Sequence, residues 1–343
     1  MTSFSSKYTL ATIAGAVLLT ACAGAGSSSL TPGNTALGRP YAGGIARSWM
    51  TPNVGKDWPG LIYVSDSATN DVYVFSLSHL KLVGTLTDQN NPAGLCVDRK
   101  GDVFVTQLYG HQIVEYKHGG TKPIKTLSDP GYEPGAWSVN RYTGDLAVAN
   151  VVSDEFAQGN VVVYPRASGN PTIYSPPGGS SGGWFSVNGV GWTYATTESD
   201  LYFAGTCSGV FCAGVLPDGS SNTENITLSV SPQSPGTVQF DGEDITFADQ
   251  SDGTIYRYKF NGTSGTEVGS FTLSGSSDVN ASWIMWIAFK KHKEIVVDVA
   301  APQQNGGDLL FYNYESHSEP FRTLTGLTEP FGAVLSGRGN STF

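Results

Sequence analysis

The chain has 343 residues, a formal charge of −10, 43 glycines, 11% aromatic residues and only 14% charged ones. An apolar fraction of 39% can fill a core and excludes a disordered chain, while the acidic balance repels phosphate backbones and excludes nucleic acid as a partner. Short strand-type runs between Gly, Ser, Asn and Asp, with amphipathic helical runs nearly absent, predict an all-β fold rich in turns.

The N-terminus reads as an address. Lys7 precedes the apolar run from Tyr8 to Cys22, which is too short to span a bilayer comfortably and suits a signal-peptide core. The run ends in Leu19-Thr20-Ala21-Cys22, which resembles the bacterial lipobox. That resemblance implies a lipoprotein signal peptide over 1–21 and an acylated Cys22, a membrane anchor without a transmembrane helix. It places the protein outside the cytoplasm, on the cell envelope. Ala23 stands where Asp would favour the inner membrane, so the outer membrane is expected if the cell has one. Residues 22–48, rich in Gly, Ser, Ala and Pro, read as a flexible tether. Residues 49–343 are assigned to one domain.

The body opens with Gly60–Ser76, two strands around the turn "DSATND" (Asp66 to Asp71). Asn91–Gly120 and the residues after it supply a fuller unit. Four strands are expected at 94–98, 102–107, 112–117 and 123–128, the content of one propeller blade. A second copy opens at Glu133-Pro134-Gly135 and continues through 160–165 and 171–176. A third runs through 190–205, then "VFCAGVL" and "NITLSV" (225–230). Within it a type II′ turn at Gly209-Val210 would set Cys207 opposite Cys212 in a non-hydrogen-bonded pair, so a cross-strand disulfide is expected there. A further copy opens at Ser234-Pro235-Gly236 and another at Trp283. The third strands share an aromatic residue at Phe75, Tyr116, Tyr164, Tyr258 and Tyr312. Their spacings of 41, 48, 94 and 54 include one double step, and the mean near 47 gives six blades between Gly60 and Ser336. The last copy, Glu329–Ser336, is a lone first strand, and the first body segment lacks one. The two ends are expected to share a blade, three strands from the N-terminus and one from the C-terminus.

The run Pro92-Ala93-Gly94-Leu95-Cys96-Val97-Asp98-Arg99-Lys100-Gly101-Asp102-Val103-Phe104-Val105 resembles the NHL repeat, and the other copies match it in part. The likeness covers residues 60–336 and extends loosely to the six-bladed SMP-30/gluconolactonase and paraoxonase group. It implies a six-bladed β-propeller closed by a C-terminal strand. In SMP-30-like enzymes Glu, Asn and Asp at the heads of inner strands hold a divalent cation such as Ca²⁺, which polarises an ester carbonyl and activates water. The matching positions are Asn91, Glu133, Asn188 and Glu329. The family's Asp-Gly should also open an inner strand, but Asp241-Gly242 falls at a hairpin turn.

Other signals are thinner. Gly178–Gly182 spells Gly-x-Ser-x-Gly without the strand and helix a nucleophile elbow requires. His292 lies in a charged turn; His111 lies in a loop where it can face a ligand. "DSATND" and "DQSDG" (249–253) lack the Glu that completes a calcium loop. The sequons at Asn225, Asn261, Asn280 and Asn340 carry no expected glycan. Cys96 reads as a small core residue. Three functions remain open: a non-catalytic scaffold for a protein, glycan or small molecule, a divalent-metal-dependent lactonase or esterase, or a part that serves only in an assembly. The loops Val151–Asn160 and Pro176–Trp184 are the candidate recognition edge, with Trp184, Phe185 and Trp192 as apolar contacts or core. A monomer is expected.

Overall fold

Alternating apolar runs broken by Gly- and Asp-containing turns give the chain one solution, a succession of antiparallel meanders that bury both faces by stacking on their neighbours. The computed structural model describes residues 47–57, 60–152, 158–178, 183–193, 199–273, 282–288, 293–299, 307–314 and 320–337. Cys22, His292, Asn280, Asn340 and most of the Gly178–Gly182 loop lie outside them. The described strands form six sheets of four or five strands, each a blade. No helix among the described residues is long and apolar enough to cross a membrane.

Blade 2 shows the plan: Pro92–Val97 innermost, then Val103–Gln107, Gln112–Tyr116 and Pro123–Ser128. Blade 3 uses Pro134–Val139, Leu146–Asn150, Asn160–Tyr164 and Thr172–Tyr174. Blade 4 uses Trp184–Trp192, Leu201–Cys207, Val210–Leu216 and Glu224–Asn225. Blade 5 uses Pro235–Phe240, Ile245–Asp249, Thr254–Asn261 and Ser264–Thr272. Blade 6 uses Ser282–Ala288, Lys293–Val299, Gly307–Asn313 and Arg322–Leu327. The innermost strands touch in sequence around a ring, and the strand of blade 6 meets Pro330–Gly337 to close it.

Blade 1 is the shared one. Pro330–Gly337 pairs antiparallel with Gly60–Asp66, from Gly60 opposite Gly337 to Asp66 opposite Pro330. Asp71–Ser76 and Leu82–Leu86 follow outward, and Trp49–Met50 adds a fifth strand at the rim. Polar bonds stitch the seam to blade 2. Ser65 Oγ donates to Ala93 O at 2.5 Å and accepts from Gly332 N at 2.8 Å. Ser336 Oγ donates to Gly101 O and pairs with His118 Nδ1, both at 2.6 Å. With Ser65 and Ser336 fully buried, each of these bonds spares an otherwise orphaned group.

The third-strand aromatics are all buried. They occupy one register position, opposite Ile62, Val103, Leu146, Ile245 and Ile295. Blade 4 puts Leu216 there, opposite Leu201. Hydroxyls at this position tie down the linker entering the same blade. Tyr116 OH accepts from Gln89 Nε2 at 3.0 Å, Tyr164 OH donates to Ser128 O at 2.9 Å, and Tyr258 OH donates to Val230 O at 2.6 Å. The position therefore couples core filling to blade entry.

Two expectations need correction. The 225–230 run is not one outer strand of blade 4. Glu224–Asn225 pairs there, whereas Thr227–Leu228 runs parallel to Ser264–Thr272 and becomes a fifth strand of blade 5. The long edge of blade 5 offers unpaired amides, and Gly265 leaves room for Leu228, whose Cδ2 would lie 2.7 Å from a Cβ there. The second concerns the Cys207–Cys212 disulfide, which is present with its Cα atoms 5.7 Å apart. The turn is Ser208-Gly209, with φ of 49° and 84°, not Gly209-Val210. Positive φ at both central residues is the type I′ signature, which a β-branched Val resists. Cys207 therefore faces Val210, Cys212 faces Gly205, and the bond runs diagonally across the hairpin.

Candidate functional site

Each inner strand starts at the same end of the ring, and in blades 1 to 5 the pairing slips there, whereas blade 6 keeps a continuous register. In blade 1, Pro330 faces Asp66 but Gly332 faces Ser65, so Phe331 is extra. Gly135 is extra in blade 3, and Phe185 and Asn188 are extra in blade 4. In blades 2 and 5 three steps, Pro92 to Leu95 and Pro235 to Val238, are set against two. Such β-bulges bend a strand and re-aim a side chain. Here they open a small axial cavity of about 40 Å³. Trp137 and Phe331 supply aromatic wall, Val190 and Val238 aliphatic wall, and Thr237 and Gln239 the polar side chains; the other lining residues are Gly94, Gly135, Ala136 and Gly189. The glycines let neighbouring strands meet backbone to backbone. A Cβ on Gly94 would lie 2.5 Å from Gly135 O, besides 2.2 Å from Trp137 Nε1, and one on Gly189 would lie 2.2 Å from Gly236 O.

Asn91, Glu133 and Glu329 stand at this mouth, each directly before the proline that opens an inner strand. Their carbonyls share one duty. Asn91 O accepts from Leu108 N, Glu133 O from Val151 N and Glu329 O from Ser67 N, at 2.9–3.0 Å. Ser234 O does the same for Gln250 N in blade 5. Asn188 is a bulged residue of blade 4, and its Oδ1 accepts from Ser186 Oγ at 2.6 Å. Glu329 is exposed, and Asn91, Glu133 and Asn188 are half-buried.

These groups do not make a fit for a hard divalent ion, which takes six to eight oxygens with carboxylates among them. Among the described residues, none that lines the cavity is a carboxylate. Among the described residues the acidic trio with ligand atoms within 4.8 Å of one another is Asp98, Asp102 and Glu115, which includes neither rim glutamate. That trio gathers at the first-hairpin turn of blade 2, the opposite end from Asn91. Asp98 Oδ1 there accepts from Lys100 N and Asp102 N, and Lys125 Nζ lies 3.3 Å from Glu115 Oε2. Cys96 beside it is a buried free thiol, as expected. Burial, with Asp98 and Glu115 nearby, pushes its pKa well up, so it stays protonated and inert.

"DSATND" and "DQSDG" are latches. Asp66, fully buried, accepts from Thr328 N at 2.7 Å and from Glu329 N and Thr69 N at 3.2 Å. Asp249, also fully buried, accepts from Gln233 N, Ser234 N, Ser251 N and Ser251 Oγ. Gln107 and Asn150 end their second strands in the same way. Gln107 Nε2 donates to Gln89, while Asn150 Nδ2 donates to Asn160, whose own amide reaches Gly131 O. Asp241-Gly242 is the hairpin turn the sequence indicated, and Arg257 bridges Asp241 and Asp244 at 3.0 and 2.7 Å.

His111 ends a short 3-10 turn and stacks on Tyr132, ring centroids 4.1 Å apart, with Nδ1 hydrogen-bonded to Tyr132 O. Tyr132 has φ of 97°, a conformation L side chains rarely adopt. Asp129 lies below. Burial raises its pKa, although Gly131 N and the Tyr164 hydroxyl bond to it. Trp184 and Trp192 are core residues, whereas Phe185 is 55% exposed. Tyr109, Val210 and Val230 are exposed at the same end.

Sequence reasoning missed Trp137 and Phe331 as cavity walls. The available signal was the Pro-x-Gly or Pro-Gly that heads the inner strands, because a glycine one or two steps after the proline marks the bulge.

No family model and no curated protein matches the chain. Solved structures do. A chain of the nidogen/laminin complex is 10% identical with a TM-score of 0.60, covering 81% of this chain and 98% of that one. A Bacteroides caccae protein of unknown function is 10% identical with a TM-score of 0.57, covering 81% and 99%. A functionally unknown protein from Desulfotomaculum acetoxidans is 11% identical with a TM-score of 0.53, covering 81% and 99%. These likenesses concern the fold.

Proposed function

We propose that the protein is a non-catalytic binding propeller, held outside the cytoplasm by a lipid on Cys22. It presents the end of the ring where the inner strands start. The observation that carries this reading is the lining of the axial cavity. Its glycine, valine, tryptophan and phenylalanine walls suit the burial of a ligand, and a small number of polar groups suits its orientation. Exposed Tyr109, Phe185, Val210 and Val230 lie in segments at the same end of the ring and add apolar surface there. A disulfide in a half-buried hairpin suits an oxidising compartment, in keeping with the lipobox.

The test has two arms on the full chain. Expressed in a lipoprotein-processing bacterium with labelled palmitate, the chain should incorporate label and Cys22→Ala should not. Label retained by Cys22→Ala would sink the anchor. A panel of lactones and aryl esters should show no turnover above buffer, with Ca²⁺ or with chelator. Calcium-dependent turnover lost in Glu133→Gln would overturn the non-catalytic reading.

A further inference from the structure

The axial cavity combines features that single out one ligand charge. Two of its walls are aromatic, Trp137 from blade 3 and Phe331 from blade 1. None of its described lining residues is charged, so none of them neutralises an anion. Each aromatic strand has a glutamate nearer the mouth, Glu329 two residues before Phe331 and Glu133 four residues before Trp137. At strand rise these spacings amount to about 7 Å and at most about 13 Å, so both carboxylate-bearing positions stand above the walls. The chain as a whole carries −10, a field that draws cations toward a low-dielectric opening.

We infer that this cavity takes a small organic cation with an alkylated ammonium head, deepening the binding reading above and resting on it. The electron-rich faces of indole and benzene rings attract such a head most strongly where water is excluded. A hard metal ion would need carboxylate oxygens that the described lining residues do not offer. A primary ammonium brings three N–H donors, whereas the side chains here offer acceptors only at Thr237 and Gln239. A trimethylammonium head has no N–H to satisfy, so apolar walls cost it little. The carboxylates at the mouth then balance its charge without entering the cavity. Trp137 fits the part of a fixed wall: its Nε1 edge lies against Gly94, and the ring packs between the cores of blades 1–2 and 2–3.

The test compares choline, tetramethylammonium and phenyltrimethylammonium with 3,3-dimethylbutan-1-ol, the uncharged isostere of choline. Each is titrated into the full chain calorimetrically at low salt. At least one cation should bind at millimolar concentration or below, with choline about 10-fold tighter than its isostere, the range expected of a partly desolvated cation–π contact. Phe331→Leu should weaken cation binding about 5-fold. The double variant Glu133→Gln/Glu329→Gln should weaken it several-fold at low salt and hardly at 0.5 M NaCl, because rim charges are screened. Both variants must melt within a few degrees of the parent. Absence of binding by all three cations to 10 mM would overturn the inference. So would equal binding of choline and its isostere, which would leave an apolar binding cavity and the scaffold reading intact. Unchanged affinity in both variants would place the bound cation elsewhere and overturn it as well.

Discussion

Removal of one buried carboxylate tests whether blade linkers are held by side chains or by an ion. Asp66 receives two linker amides, Thr328 N and Glu329 N, besides Thr69 N in its own turn. Asp249 receives Gln233 N and Ser234 N from its linker, besides Ser251. Hydrogen bonds to a charged acceptor contribute roughly 1.5–3 kcal/mol each. Thr328, Glu329 and Gln233 are exposed residues, so water will re-satisfy part of the loss. Asp66→Ala and Asp249→Ala should therefore each cost about 3 kcal/mol, half the undiscounted total. For a body of this size that is a fall of about 6 °C in melting temperature. Calorimetry of the parent and both variants measures it, with exposed Asp218→Ala as a control expected within about 0.5 kcal/mol. Asp66→Asn keeps one acceptor oxygen and should lose about half as much. Alanine variants melting within 1 °C of the parent would refute the latch. A parent whose melting rises several degrees with Ca²⁺, a rise absent from the variants, would refute it differently and make these turns cation loops.

Three further outcomes are expected. Deletion of 329–343 removes the inner strand of blade 1, exposes the edge of Gly60–Asp66 and strips Ser65 of Gly332 and Asp66 of Glu329, so cooperative melting should disappear; an unchanged transition would refute closure. Reduction of Cys207–Cys212, or its Ser/Ser variant, frees a short loop and should cost at most about 2 kcal/mol, read as a small fall in melting temperature that the two treatments share. Burial pushes Asp241 up, but Asp244 N, Glu243 N, the Tyr314 hydroxyl and Arg257 outweigh it and hold its carboxyl below the ordinary value. A carboxyl depressed in the folded state stabilises the fold above its unfolded pKa, near 4, and that stabilisation is lost as pH falls through the folded value. Melting temperature of the parent should thus fall more steeply below pH 4 than that of Asp241→Asn, and parallel acid limbs would contradict the assignment.

Some of this architecture was legible in the residues because it repeats. A third-strand aromatic must fill the same space in each blade, so Phe75, Tyr116, Tyr164, Tyr258 and Tyr312 carry the period and Glu329–Ser336 betrays the seam. The cavity was harder to read because bulges decide it. A strand period of two assigns Phe331 and Gly135 to a face only while the register is continuous, and one extra residue reverses that assignment. Local turn chemistry misled at Gly209, where Gly-Val and Ser-Gly compete for the same hairpin and the two-residue offset of the partner strand settles the pairing. The glutamates illustrate a different limit. Glu133 and Glu329 match a metal enzyme's ligand positions in sequence, but a ligand is defined by what converges on it. What lies beside them on the axis is Trp137 and Phe331, drawn from blades 3 and 1, a juxtaposition that exists only once the ring has closed. Residues alone therefore name the carboxylates, and closure decides whether they face an ion or guard an aromatic wall.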